Sequence, residues 1–568
     1  MLRKLTPSPY QTCILNAVSK NLILPIKSGI GVIALAGTGK STLITLIAET
    51  IQKQGLQPEE MVILVFGTKN KDDLRKCIQA KLGAKWGRTV RTIHSLAYSI
   101  YREALNVSTA NVNPYKYETI ASKLGWITGN VGGLGRLVAN SDYPAILNEK
   151  AFIKLLELLR LYAYQPNPEN IQTLNQTYNL SVTDLYGVAQ AAKDCLDRGE
   201  EEALFRNKID TTDMVWMPWK CQDIPFFKGA IVSLKNRLKV ILIDEAQDVD
   251  NLQLSLLQLL ITPSQSFLIA VGDPNQSVYH FRGCLSDGLA KIMSRFNCQV
   301  FESPLNYRCG QLHLQLVRDI FPHIPIQAHP NAPQGEIRII SSADLLKCFT
   351  DSTLTYLIVS RKNSTLIQSA IRIIATGKTA TIKDEKAGDY LFKEIKRIAE
   401  KPYNPLTFEH KLDVYAAKTR HFLEQSPDAP TRLAEFADFI ESIRTLYDTY
   451  KPATLQKWQT TINQIFNSRK STSIHLLSIH SAKGAEAEVV FLLYPEEIPF
   501  THSQQSLEEL QQEWNTLYIA LTRIKANRNP GSGILYLVLK ERDCTIYPDW
   551  LPQAYRQLYN FGKPVNSI

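Results

Sequence analysis

The sequence predicts an α/β protein of doubly wound parallel layers. Three observations carry this. Short apolar runs rich in Val and Ile recur at residues 31–37, 61–67, 239–245, 267–273, 355–361 and 487–494. Gly, Asp or Ser bounds these runs, as expected of buried parallel strands. They alternate with stretches of helical periodicity, the pattern of helices covering both faces of a sheet. At 568 residues the chain is long enough for several cores, about three to five units. With 44% hydrophobic and 21% charged residues, it is neither a disordered chain, a collagen nor a coiled-coil rod. The net charge of +10 is spread along the chain and suits a polyanionic partner.

The elements follow in order. Val32–Leu35 is the first strand and runs into the turn Ala36-Gly37-Thr38-Gly39-Lys40-Ser41, after which apolar spacing predicts a helix. Residues 61–67 form the second strand, and the charged run 69–76 reads as a solvated helix face. Residues 101–205 are mostly helical, AFIKLLELLRLYAY being the clearest case, with loops at Pro166 and Pro168. MVWMPW at 214–219 reads as core or interface packing. KVILIDEAQD and FLIAVGD return to the strand pattern. Residues 386–470 are again helical and polar, centred on LAEFADFIESIRTLY, and Asn467–Ser473 is the expected linker back into a second core. The nine cysteines are scattered without a CxxC pair, so zinc has no spacing support and reduced thiols in a cytosol are expected. The N-terminus lacks the apolar core of a leader. The longest apolar stretch, Leu22–Ala36, is broken by Pro25 and Lys27, and no membrane span is expected.

The first strand–turn–helix has the spacing of a phosphate-binding P-loop, with Ala34 in place of the usual first Gly. Backbone N–H groups and the helix N-terminus can cradle phosphates there. Lys40 would reach the β- and γ-phosphates and Ser41 would ligate Mg²⁺. Asp244, directly after four apolar residues, stands where a second metal carboxylate belongs, and adjacent Glu245 could polarise an attacking water.

Together the P-loop, DEAQD at 244–248 and VGDPNQSVYHFRG at 271–283 resemble the superfamily 1A helicases of the UvrD/Rep/PcrA type. LTPSPYQ (5–11) is similar to that family's Q motif and TIHSLAY (92–98) to motif Ib. LNYR (305–308) is similar to motif IV, SIHSAKGAEAEVVFL (478–492) to motif V and LYIALTR (517–523) to motif VI. TIHSLAY and LNYR also resemble the compact F-box DNA helicase cores.

The resemblance implies ATP and Mg²⁺ as cofactors, with Ser41 and Asp244 on the metal. Ala36, Gly37, Thr38, Gly39, Lys40, Ser41 and Thr42 would surround the phosphates, Gln11 would read the adenine edge and Tyr307 would stack on it. Gly484 and Glu486 of motif V would lie at the nucleotide, Glu486 on the ribose. Lys40, Glu245, Gln276, Arg308 and Arg523 would be catalytic, Gln276 sensing the γ-phosphate and the two arginines acting as fingers on transition-state charge. The implied DNA contacts are Asn70, Thr92, His94, Tyr279, Phe281, Arg282, Arg361, Asn363 and His480. Three departures stand out: Lys69 where motif Ia carries an aromatic-Thr pair, Ala485 and Ala487 where motif V is bulkier, and Thr42 where many relatives have Arg.

The implied fold is two RecA-like cores, 1A and 2A, with helical insertions 1B and a reduced 2B. Core 1A takes residues 1–100 and 206–304 around 1B at 101–205; core 2A takes 305–385 and 471–568 around 2B at 386–470. The implied function is a 3′→5′ ATP-dependent DNA helicase on single-stranded DNA and single-/double-strand junctions, in repair, recombination or replication restart. It would be cytoplasmic and nucleoid-associated, with a protein partner open and no fused nuclease. Two alternatives stand beside it: a DNA-stimulated translocase serving a partner such as a nuclease, and a nucleotide-dependent regulatory switch.

Overall fold

The structure is a computed structural model describing residues 7–128, 136–137, 149–178, 180, 182–278, 283, 285, 287–400, 402–424, 429–466, 474–501, 506–540 and 547–556. The chain divides into two compact units, Met1–Ala34 with Gly39–Ser303, and Leu35–Thr38 with Pro304–Ile568.

The first unit is built on a six-stranded parallel sheet. Its strands are β1 (Ile30–Ala34), β2 (Met61–Val65), β3 (Val90–Thr92), β4 (Val240–Ile243), β5 (Phe267–Gly272) and β6 (Gln299–Ser303), in the order β6-β1-β5-β4-β2-β3. The register pairs Ile33 of β1 with Gly272 of β5, and Ile243 of β4 with Ala270 of β5. β4 therefore stops two residues before the end of β5, and β1 runs one residue beyond it. Side chains alternate across the sheet as the pleat requires. Val32, Ala34, Ile63, Leu242, Ile269 and Val271 face a core closed by helices α1 (Pro9–Ile23) and α2 (Lys40–Lys53), which contribute Ile14, Val18, Ile44 and Ile47. Val62, Leu64, Ile241, Ile243, Leu268 and Ala270 face the other core, shared with the helices between β3 and β4. Val215, Trp216 and Met217 of the Met/Trp-rich segment lie in that second core, on the helix Asp213–Lys220.

The helical stretch after β3 holds a fully buried charge cluster. Asp213 accepts from Lys116 Nζ at 2.5 Å, from Arg160 Nη1 at 2.8 Å and from Tyr117 Oη at 3.1 Å. Arg160 also reaches Asp210 at 2.8 Å, and Lys116 the Gly199 carbonyl at 2.8 Å. Burial opposes ionisation of Asp213, but the Arg160 guanidinium and the Lys116 ammonium prevail and hold its carboxyl below the usual range.

The second unit repeats the parallel-sheet plan with β7 (Glu336–Ser341), β8 (Tyr356–Ser360), β9 (Ala380–Ile382), β10 (Ile474–Ser478), β11 (Val489–Leu493) and β12 (Ile534–Leu539), ordered β7-β12-β11-β8-β10-β9. The helices Glu385–Ala399, Pro405–Glu424, Ala429–Tyr450 and Leu455–Phe466 bury Ile395, Phe408, Ile443 and Trp458 in the same core as β8 and β10. Trp458 Nε1 donates to Tyr403 Oη at 3.1 Å, which satisfies the indole inside that core. The expected linker Asn467–Ser473 lies outside the described residues. No helix among the described residues is long and apolar enough to cross a membrane.

Candidate nucleotide site

In the first unit the chemistry-bearing residues gather at the carboxyl ends of β1, β5 and β4, the three adjacent central strands. Ligand sites of open α/β sheets form at such strand ends. Beyond β1 the chain turns through Gly37, in the short segment Leu35–Thr38 that groups with the second unit, at φ 69°, and through Gly39 at φ 80°, backbone that favours glycine. Thr38 Oγ1 ties the turn by donating to the Leu35 carbonyl at 2.7 Å. Helix α2 then starts at Lys40 with no side-chain cap, leaving its first N–H groups open toward an anion. A Cβ built on Gly39 would sit 3.7 Å from Gln11 Nε2, so Gln11 lies beside this turn. Gln11 is buried, and its Oε1 accepts from the Ser8 N–H at 3.0 Å in a capping box that starts α1.

Asp244 directly follows β4. Its N–H donates to the Leu64 carbonyl at 2.8 Å, continuing the sheet ladder, and its Oδ1 accepts from the Glu245 N–H at 3.0 Å. Glu245 is left-handed, φ 54° and ψ 43°. For a residue with a Cβ this costs of order 1–3 kcal/mol, strain that gathers at functional sites. The sharp turn brings the Glu245 carboxylate to Lys40, whose Nζ lies 3.3 Å from Oε1 and 3.5 Å from Oε2. At the end of β5, Asp273 accepts from the Asn275 N–H at 3.1 Å and from Gln276 Nε2 at 2.7 Å, which folds a tight turn and buries Gln276. Burial pushes the Asp273 carboxyl up, against the pull of the Lys40 ammonium.

This donor set fits a magnesium nucleotide. A loop with two left-handed glycines opens onto a helix N-terminus, a lysine sits beside it, and Ser41 and the Asp244 carboxylate are hard oxygen donors.

The second unit holds the remaining expected nucleotide residues. Asn306 Oδ1 accepts from the N–H groups of Arg308 and Cys309, both at 2.8 Å, and so shapes the turn carrying Tyr307 and Arg308. Tyr307 is half exposed, its ring 5.0 Å from that of His329. Arg308 Nε pairs with Glu486 Oε2 at 2.7 Å, and Lys525 with Glu486 Oε1 at 3.2 Å. Burial raises the Glu486 carboxyl, but the two cations outweigh it and hold the group below its usual value. Gly484, two residues earlier, is left-handed at φ 82°. Arg523 is 1% exposed and donates to the Ile519 carbonyl at 2.9 Å, the Ala485 carbonyl at 3.4 Å and Thr522 Oγ1 at 3.1 Å.

Two of the residues expected on DNA, Thr92 and Arg361, are engaged within the fold through their side chains. Thr92 Oγ1 accepts from the Ser95 N–H at 3.1 Å, capping the helix Ile93–Leu105. His94 sits in that helix's first turn, and burial pushes its imidazole below the ordinary value. Asn70 is half-buried on the helix Thr68–Leu82, and His480 is half-buried in the turn after β10. Arg361 binds the Glu513 carboxylate through Nη2 at 2.9 Å and Nε at 3.1 Å. The N–H of Asn363 donates to Asp438 Oδ2 at 2.9 Å. Tyr279, Phe281 and Arg282 lie outside the described residues. The sequence reading gave no role to Gln247, Asp273 or Asn306, which lie inside the quoted motifs yet organise the turns around the site.

A family model described as the UvrD/REP helicase N-terminal domain matches residues 15–297. The chain belongs with the UvrD/Rep-like helicases of superfamily 1A. It is 22% identical to the "Probable DNA helicase II homolog" of Mycoplasma pneumoniae, over 86% of this chain and 80% of that protein. It is 26% identical to the ATP-dependent DNA helicase Rep of Salmonella typhimurium and 25% identical to that of Escherichia coli. Each Rep alignment covers 49% of this UvrD/Rep-like chain and 38% of the relative, so the chain spans about two fifths of the Rep length.

Proposed function

We propose that this chain is an ATP-dependent DNA helicase that moves 3′→5′ on single-stranded DNA. The observation that carries the reading is the convergence of Lys40, Asp244, Glu245 and Gln276 at the ends of β1, β4 and β5, with Lys40 3.3 Å from Glu245. Each has one task in γ-phosphate hydrolysis. Lys40 neutralises phosphate charge. Ser41 and Asp244 hold Mg²⁺, which offsets charge on the β- and γ-oxygens when bound. Glu245 takes the proton of the attacking water as the water oxygen bonds to the γ-phosphorus. The P–O bond to ADP breaks and its electron pair leaves on the β-phosphate oxygen. Gln276 reports the γ-phosphate to the segment that follows it.

In this reading the two units are RecA-like cores 1A and 2A with insertions at 101–205 and 386–470. Gln11 reads adenine, Tyr307 stacks on it, and Arg308 and Arg523 steady transition-state charge. The DNA helicase names of the relatives support the DNA substrate. One observation favours a second reading, a translocase that advances on a strand without separating a duplex. The helices from Glu385 to Phe466 share their core with the second sheet instead of forming a core of their own. ATPase measured with and without single-stranded DNA, beside unwinding of a forked duplex carrying a 3′ tail, separates the readings. ATPase indifferent to DNA would reject both.

A further inference from the structure

The side chain of Gln247 is 1% exposed as a residue and spans the ends of two neighbouring strands. Its Nε2 donates to Glu245 Oε2 at 2.5 Å, and its Oε1 accepts from the Asp273 N–H at 3.0 Å. The Asp273 carboxylate in turn accepts from Gln276 Nε2 at 2.7 Å. One amide thus links the carboxylate after β4 to the turn after β5 that holds Gln276. The approach is close enough to dictate the residue beneath it. A Cβ on Gly272 would lie 2.5 Å from Gln247 Oε1 and 3.2 Å from the N atoms of Ala246 and Gln247.

We propose that Gln247 is a positioning residue, whose amide aims the Glu245 carboxylate at the attacking water and ties that aim to the Asp273–Gln276 turn. The proposal rests on the ATPase reading given above. Its logic is one of polarity. The link needs a donor toward Glu245 and an acceptor toward Asp273, and a primary amide supplies both on one planar group. Lys40 also contacts Glu245. Phosphate charge draws that ammonium toward the nucleotide, whereas the Gln247 amide stays anchored by Asp273. A general base works only within hydrogen-bond reach of the proton it removes. A displacement of ~1 Å costs on the order of 10²-fold in rate.

The test is steady-state ATPase of Gln247→Leu, Gln247→Glu, Glu245→Gln and the doubles Glu245→Gln/Gln247→Leu and Glu245→Gln/Gln247→Glu, with melting temperatures. Gln247→Leu removes both bonds. Gln247→Glu keeps the acceptor for Asp273, removes the donor toward Glu245 and sets a second carboxylate against it. Both single variants should lower kcat by roughly 10²-fold with KM for ATP within about threefold. In the Glu245→Gln background either Gln247 change should cost less than about threefold, because the residue acts through Glu245. Gln247→Glu turning over like wild type, or equal losses in both backgrounds, would overturn the proposal. If the Leu variants fail to fold, Gln247→Met, of similar length and without either bond, takes their place in both backgrounds. A wild-type chain without ATPase, or a Glu245→Gln variant as fast as wild type, removes the ATPase reading and this proposal with it.

Discussion

Replacing Asp213 by Asn should unfold the first unit on the order of 10 °C earlier. Asp213 is 0% exposed and accepts four hydrogen bonds: from Lys116 Nζ and the Asp210 N–H on Oδ2, and from Arg160 Nη1 and Tyr117 Oη on Oδ1. All four partners are donors. Asn has the same shape but turns one oxygen into NH₂, so either amide orientation sets donor against donor. The change also strips one negative charge from two cations whose side chains are 1% and 3% exposed. Breaking a buried pair by removing one partner costs about 3–5 kcal/mol, because the remaining charge stays buried. In a unit of this size each kcal/mol moves the midpoint by about 2–4 °C. The two units can melt separately, so the assay is calorimetry that resolves two transitions, with only the first displaced. The pH course is also set. The Asp213 carboxyl is held low, so its stabilisation is complete above its unfolded value and is lost only as pH falls through the folded one. The gap between variant and wild type should therefore stay constant from pH 6 to 8. As a control, Lys193→Ala removes a solvent-exposed pair with Asp197 and should leave the midpoint in place. A midpoint for Asp213→Asn within 2 °C of wild type would refute the reasoning.

Lys40→Ala should abolish ATP hydrolysis and leave circular dichroism unchanged, since the side chain serves phosphate charge and not packing. Glu245→Gln should keep nucleotide affinity in equilibrium binding while turnover falls by orders of magnitude, because Asp244 is untouched while the base is lost. Arg523→Ala should lower kcat with little change in KM, and should also lower the second unit's melting temperature, because burial and its bonds to Ile519, Ala485 and Thr522 make it structural as well. Asp250 caps the helix Asn251–Leu260 and burial pushes its carboxyl up to about 7, so the native state binds a proton that the unfolded chain has released. Stability should fall as pH rises from 4 through 7, and Asp250→Asn, still a good cap, should melt above wild type at pH 8 and converge with it near pH 4.

The strands β1, β2, β4, β5, β8 and β11 and the phosphate loop were legible because their signals are local, whereas β3, β6, β7, β9, β10 and β12 carried no run that stood out. A run such as Val240–Ile243 is apolar at every position because both faces of a parallel sheet are covered, and glycines at 37 and 39 mark a backbone other residues avoid. What was not legible is pairing across sequence distance. Lys116 and Asp213 are 97 residues apart, and nothing in the helical pattern around either says that the two charges meet inside a core. The helices from Glu385 to Phe466 show a buried face by period. Period gives no partner, and the partner here is the second sheet's own core. Gln247 escaped notice for the same reason, because its role depends on β4 lying beside β5, an adjacency fixed only by the fold.

Arginine shows the limit most plainly. A guanidinium suits phosphate and carboxylate equally well, so an arginine inside a recognised motif, such as Arg308, or just after a core strand, such as Arg361, reads as a ligand contact. In the fold Arg361 is taken by Glu513 through two nitrogens, and Arg308 by Glu486. Both carboxylates are more than 150 residues away in sequence, at separations of 152 and 178. An arginine that swings fully onto a polyanion gives up the carboxylate bond it already has. The carboxylate left behind then needs another cation, as Lys525 already provides for Glu486. Glu513 is buried and also accepts from the Phe500 N–H at 3.1 Å, so its charge is harder to abandon. Of the two arginines, Arg308 is therefore the one whose carboxylate partner keeps a second cation if it swings to phosphate.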